Sequence, residues 1–202
     1  MLFEYIRNLL CPFDQIEKYV PERGIILDVG CGHGMFSSLL AKNCPERNVL
    51  GIDPSKEKII KAKKINLKNL KFKKAYVSDL KNIKFDGICV IDVMYLFPEK
   101  EKLRFLKSIK SLMNKSAKMI LVINGAGNNL FFKILSLEET VMVRILKATY
   151  TDYSGIYFKN KEFYRKMLIK AGFIVELEKN LSSKLNFPPH TLFVVARPQE
   201  TK

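Results

Sequence analysis

The residues of this chain with the clearest capacity for chemistry are three glycines and the acids around them. Asp28, Gly30, Gly32 and Gly34 occupy alternate positions at the end of the apolar run Ile25-Ile26-Leu27, and two further acids, Asp53 and Asp79, follow short apolar stretches downstream. Gly30 and Gly34 can take backbone angles closed to residues with a Cβ, and Gly32 lets the main chain come close to a ligand. A helix starting after the turn aims its free N–H groups at whatever sits there. A dinucleotide site would read G-x-G-x-x-G, the third glycine seating the helix beneath a pyrophosphate. Here an acid lies inside the strand instead, and a carboxylate repels a pyrophosphate but attracts an ammonium or sulfonium group. The spacing therefore predicts a cationic ligand.

At Asp28-x-Gly30-x-Gly32-x-Gly34 the chain resembles motif I of the class I, Rossmann-like S-adenosylmethionine-dependent methyltransferases, here of the type acting on small molecules or lipids. In that family the motif cradles the methionine end of the cofactor. The resemblance covers residues 25 to 197. It implies an α/β fold with a single doubly wound, seven-stranded, mostly parallel sheet, order 3-2-1-4-5-7-6, an antiparallel last strand and helices on both faces. The cofactor is expected at Asp28, Gly30, Cys31, Gly32 and Gly34, at Asp53 and Pro54, at Ser78 and Asp79, and at Asp92. Asp53 also carries its own argument, because an acid about 20 residues after a glycine turn, at a strand's carboxyl end, accepts hydrogen bonds from ribose hydroxyls. Asp79 is the position where the family uses an acid for the adenine amino group. Members that methylate base amino groups carry Asn/Asp-Pro-Pro-Tyr/Phe where this chain has Asp92-Val93-Met94-Tyr95, and the missing prolines weigh against that chemistry.

Transfer from a sulfonium needs alignment and, for a nucleophile that must lose a proton, a base. His190 is the candidate base. It precedes the last strand, whose antiparallel course brings its start to the edge where the other strands end; the alternative is a solvent-exposed turn histidine. Tyr150, with Asp152 and Tyr153, is a candidate pocket residue, and His33 a backbone-position residue within the glycine loop.

These residues need a frame to hold them. Short apolar strands are expected at 25–29, 49–52, 87–91, 119–123, 173–177 and 192–196, and helical faces at Met35/Phe36/Leu39/Leu40 and Leu103/Leu106/Ile109/Leu112, with Gly172 closing a helix from Phe163. A single domain over 1–202 follows, with an amphipathic N-terminal cap at 1–22 and a helical lid at 126–158 that carries Leu130, Ile134, Leu137, Val141 and Ile145 on one face. Residues 55 to 75 hold nine lysines on a helix and an edge strand, a solvated face where lysines discourage edge pairing.

The net charge of +15 is carried mostly by lysine, in a chain rich in isoleucine and asparagine, which fits compositional drift better than phosphate or base recognition, where arginine is favoured. Four scattered cysteines without a C-x-x-C pair, and two histidines, predict reduced thiols and no metal. No apolar stretch reaches the roughly 20 residues of a membrane span, and no cleavable leader is visible. The expected protein is cytoplasmic and peripheral at the inner membrane face, where the oily lid meets anionic lipid, while the N-terminal segment packs over the site or lies on a surface. Its expected acceptor is a small apolar or lipid-like molecule; an RNA methyltransferase and a non-catalytic cofactor-binding regulator are the alternatives.

Overall fold

The computed structural model describes residues 9–124, 157–184 and 189–198. Seven strands form one sheet: β1 (Gly24–Val29), β2 (Arg47–Asp53), β3 (Leu70–Lys74), β4 (Phe85–Ile91), β5 (Met113–Asn124), β6 (Ile174–Leu181) and β7 (His190–Ala196). Their spatial order is β3-β2-β1-β4-β5-β7-β6, as the family resemblance implies. The first five run parallel, and β7 is antiparallel to both β5 and β6. The helices are α1 (Phe13–Glu17), α2 (Met35–Asn43), α3 (Lys56–Ala62), α4 (Glu99–Leu112) and α5 (Lys161–Lys170).

The central strands are continuous apolar runs because helices cover both sheet faces and leave them no wet side. Leu27, Ile88, Val90, Leu121 and Phe193 pack on one face with Leu106 of α4 and Leu168 of α5. Ile26, Cys89, Ile120 and Val194 pack on the other with Ile16 of α1, Leu40 of α2 and Ile59 of α3. Fully burying each large aliphatic or aromatic side chain contributes roughly 1.5–3 kcal/mol, so the two layers fix the sheet firmly enough to set the positions of its strand ends.

Local signals behave as their chemistry demands. Ser55 caps α3 by accepting from the Lys58 N–H, and Asn160 caps α5 by accepting from that of Phe163. Gly172, at φ +80°, closes α5 with paired bonds from its own N–H to the Ile169 carbonyl and from the Phe173 N–H to the Leu168 carbonyl. Of the nine lysines between 55 and 75, all but Lys58 are exposed, and β3 lies at a sheet edge.

Two buried cations depart from the expected rule that charge stays in solvent. The Arg47 guanidinium, buried at the start of β2, bonds the carbonyls of Pro21 (2.8 Å), Val20 (3.1 Å) and Leu40 (3.2 Å) and pairs with Glu17. It clamps the segment after α1 onto the sheet, a use for which a planar, multi-donor fork is better suited than a lysine. The described part of the N-terminal cap, from Leu9, thus packs into the core through Cys11, Phe13 and Ile16. Residues 1–8 and 125–156, including most of the expected lid, Tyr150, Asp152 and Tyr153, lie outside the described residues.

Candidate active site

The carboxyl ends of β1, β2 and β4 open onto a cavity of about 340 Å³, within the range of small-molecule sites. Its floor is the glycine turn. Gly30, Gly32 and Gly34 all take positive φ, at +73°, +55° and +84°, but they differ in what a side chain would meet. A Cβ on Gly30 would strike Val93 at 2.6 Å and one on Gly34 would strike the Phe72 ring at 2.5 Å, whereas one on Gly32 would meet nothing within 4 Å. Two of the glycines therefore serve packing, and Gly32 keeps the cavity itself clear.

The acids divide the work. Asp28 sits in β1 beside Gly51 and Cys89, is buried, and accepts from the Ser37 hydroxyl at 2.5 Å. Asp53, buried at the end of β2, accepts from the Gly32 N–H at 3.0 Å and from the Ser55 N–H at 2.8 Å. These bonds leave further lone pairs on Asp53, because an ionised carboxylate offers about four acceptor positions. Burial first, then the charges of Asp28 and Asp53, push the Cys31 thiol far above its ordinary value. Cys31 is thereby a neutral wall residue; Cys89, buried in β4 beside Asp28, is also held neutral, raised for the same first reason.

Pro54 and Ser78 line the cavity, with Tyr76 and Val77. Asp79, outside that lining, is exposed, and its carboxylate accepts from the Tyr76 N–H at 2.8 Å, closing the 3-10 turn Val77–Asp79. Its contribution here is to hold the turn whose residues face the cavity. His33 also lines the wall.

Asp92 lies just past β4 at φ +53°, a conformation that costs a non-glycine residue energy and collects at functional positions. His190, the first residue of β7, is buried rather than exposed, with Nε2 3.5 Å from Asp92 Oδ2. The antiparallel strand brings it beside Asp92, which lines the cavity; His190 itself is not among the lining residues. Apolar walls complete the enclosure: Phe13 of α1 stacks on Phe36 of α2 at 5.2 Å, and Tyr95 stacks on Phe158 at 4.8 Å.

The loop holding Tyr95 is anchored by the second buried cation. Lys102 of α4 donates to the carbonyls of Phe97 and Tyr157, the latter at 2.8 Å, while the Tyr157 N–H bonds the Tyr95 carbonyl at 2.7 Å. Burial first, and Lys159 second, lower the Lys102 pKa to about 7, with Glu99 opposing. A neutral amine still offers two N–H donors for the two carbonyls. The folded protein releases this proton near pH 7 while an unfolded lysine keeps it to about 10.5, so between those values the unfolded chain binds more protons and stability rises with pH. Chemical denaturation of the parent and of Lys102→Met across pH 7 to 10 is expected to show the parent gaining relative to the variant; parallel curves would mean that the ammonium stays charged.

The residues fit a cationic nucleoside. Buried carboxylates stand at three points, Asp28, Asp53 and Asp92, the backbone at Gly32 is open to close approach, and α2 starts at Gly34 with no side-chain cap on its first turn.

Comparison with known proteins agrees with this geometry. A family model described as a methyltransferase domain matches residues 22–172. Trans-aconitate 2-methyltransferase of Deinococcus radiodurans is 33% identical over 70 residues, 34% of this chain and 27% of that protein. An uncharacterized methyltransferase of Schizosaccharomyces pombe is 39% identical over 62 residues, 31% of this chain and 22% of that protein. The matched stretches thus span about a quarter of the length of these curated relatives. Among solved structures, magnesium protoporphyrin IX methyltransferase from Synechocystis PCC 6803 with bound S-adenosylhomocysteine aligns at TM-score 0.69 and 20% identity, covering 92% of this chain and 81% of that one. The cyclopropane synthase of Mycobacterium tuberculosis aligns at TM-score 0.72 and 14% identity, covering 92% and 82%.

Proposed function

Because this chain belongs to the methyltransferase domain family, we propose that it transfers the methyl group of S-adenosylmethionine to a small apolar or lipid-like acceptor. The observation that carries the donor is the pairing of buried Asp28 and Asp53 with the open backbone at Gly32 on one cavity floor. When bound, the donor supplies a methyl carbon made electrophilic by the sulfonium. Asp28 then sets the field that favours the cationic methionine end, Asp53 takes the ribose hydroxyls, and the turn at Tyr76–Ser78, braced by Asp79, faces the adenine. Burial of these acids strengthens their attraction for a cation relative to water. Phe13, Phe36 and Tyr95 keep water from the reacting centre, which leaves alignment as the chain's main share of catalysis.

The acceptor side is the edge where Asp92 meets His190. Its surroundings support an apolar acceptor: the N-terminal segment brings Phe13 to the rim, and the segment at 130–145 repeats leucine and isoleucine at helical spacing in the sequence. Contact with anionic membrane is part of this proposal.

Supplying methyl-labelled S-adenosylmethionine and the protein to a cell extract tests the reading. Label is expected in material that partitions into organic solvent. Label that stays aqueous and becomes small only after ribonuclease treatment would turn the assignment to RNA, and tight binding of S-adenosylhomocysteine with no labelled product would turn it to a regulator.

A further inference from the structure

Three donor types come together beside the cavity. Cys11, Asp92 and His190 are all buried, and one donor atom of each lies within 4.8 Å of the others. They arrive from the N-terminal segment, the end of β4 and the start of β7. Asn124, paired with His190 in the β5–β7 ladder, is also buried. Its Oδ1 is buried without a hydrogen-bond partner; so is His190 Nδ1, but that is the ring nitrogen away from Asp92, and an ion on Nε2 does not satisfy it. A buried polar atom left so costs about 1–3 kcal/mol, and native structures keep few of them.

The geometry points to a divalent transition-metal site of the zinc class, held by Cys11, Asp92 and His190, with Asn124 beside it. A thiolate, a carboxylate and a neutral imidazole suit an ion of borderline softness, and their two negative charges balance a dication in a place where net charge is costly. Spacing agrees as well. Nitrogen and oxygen ligands at roughly 2.0–2.1 Å from a tetrahedral ion lie about 3.4 Å apart. His190 Nε2 and Asp92 Oδ2 are 3.5 Å apart. Three protein ligands leave a fourth position, which Asn124 Oδ1 takes at rest and a substrate oxygen takes in its place. Asp92 lines the cavity, and so does Phe13, two residues from Cys11.

With an ion in place His190 is a ligand rather than a base, and activation of the acceptor oxygen falls to the metal. That role rests on the methyl-transfer reading; metal binding itself does not.

Elemental analysis of the protein after growth with zinc, and absorption spectra of the cobalt-substituted protein, test the site. Stoichiometric zinc and a thiolate-to-cobalt charge-transfer band are expected, both retained in Cys44→Ser, a thiol at the far end of α2. Changes in the shell around a metal's ligands already cost roughly 10–100-fold in affinity, so Cys11→Ser and His190→Gln should each weaken zinc by more than about a hundredfold, with Cys11→Ser abolishing the band. Calorimetry with S-adenosylhomocysteine on every variant reports whether the fold and donor site survive. No metal above background in a parent that binds S-adenosylhomocysteine, or a band unchanged in Cys11→Ser, overturns the metal site and leaves methyl transfer standing. Stoichiometric zinc in a parent that does not bind S-adenosylhomocysteine keeps the site and removes the donor reading.

Discussion

Asp53→Ala is expected to lower the affinity for S-adenosylmethionine by at least about tenfold. The carboxylate would accept from two ribose hydroxyls, and a hydrogen bond to a charged group is worth roughly 1.5–3 kcal/mol, where 1.4 kcal/mol is one decade. The same substitution frees the Gly32 and Ser55 N–H groups that Asp53 now holds, loosening the glycine turn from below. Both effects act in one direction. Asp53→Asn keeps an acceptor but loses the charge, and should fall between alanine and the parent. Calorimetry on folded protein decides the matter, and unchanged affinity in Asp53→Ala would place the ribose elsewhere. NAD is not expected to compete, because its pyrophosphate would face Asp28.

The glycine turn gives the second large effect, as a contrast between two neighbours. Gly34→Ala should destabilise the fold by about 2–5 kcal/mol, the sum of a left-handed residue's roughly 1–2 kcal/mol and an overpacking cost of roughly 1–3 kcal/mol. The physical cause is a Cβ 2.5 Å from the Phe72 ring at a φ of +84°. Gly32→Ala carries only the left-handed cost, since its Cβ enters open space, yet that space is the cavity. It should stay folded and bind S-adenosylhomocysteine poorly. Urea denaturation beside calorimetry separates the two; a Gly34→Ala protein as stable as the parent, or a Gly32→Ala protein with full affinity, would contradict the division of labour between packing and binding.

Much of this site was legible because its signals are local. The acid and the glycine turn occupy seven consecutive residues from Asp28 to Gly34, directly after the apolar run Ile25–Leu27, and Asp53 announces itself by ending an apolar strand. The sheet order followed from the family resemblance, not from periodicity. What stayed hidden depends on contacts between remote segments. A lysine or arginine in sequence reads as surface, and only the packed chain shows Arg47 bonding the carbonyls that follow α1, or Lys102 joining the loop at Phe97 to Tyr157. Cysteines and histidines scattered over the chain have no metal spacing, yet the fold brings Cys11 and His190 to one place. Asp79 shows the opposite limit: the sequence places an acid at the right strand end, but its carboxylate is directed by a bond to the Tyr76 N–H that spacing alone does not reveal.

The placement of β7 between β5 and β6 has a consequence in time. As the chain emerges during synthesis, strands β1 to β5 can assemble in sequence, each beside one already made, so the donor half of the cavity can form first. β6 is finished before β7 but pairs with β7 alone among the described strands, so it must wait for the last strand to slot into the gap. His190 leads that strand. The edge proposed for the acceptor is therefore completed only when β7, the last of the described strands, is made, and a nascent chain halted before it would carry the proposed donor half of the cavity without that edge.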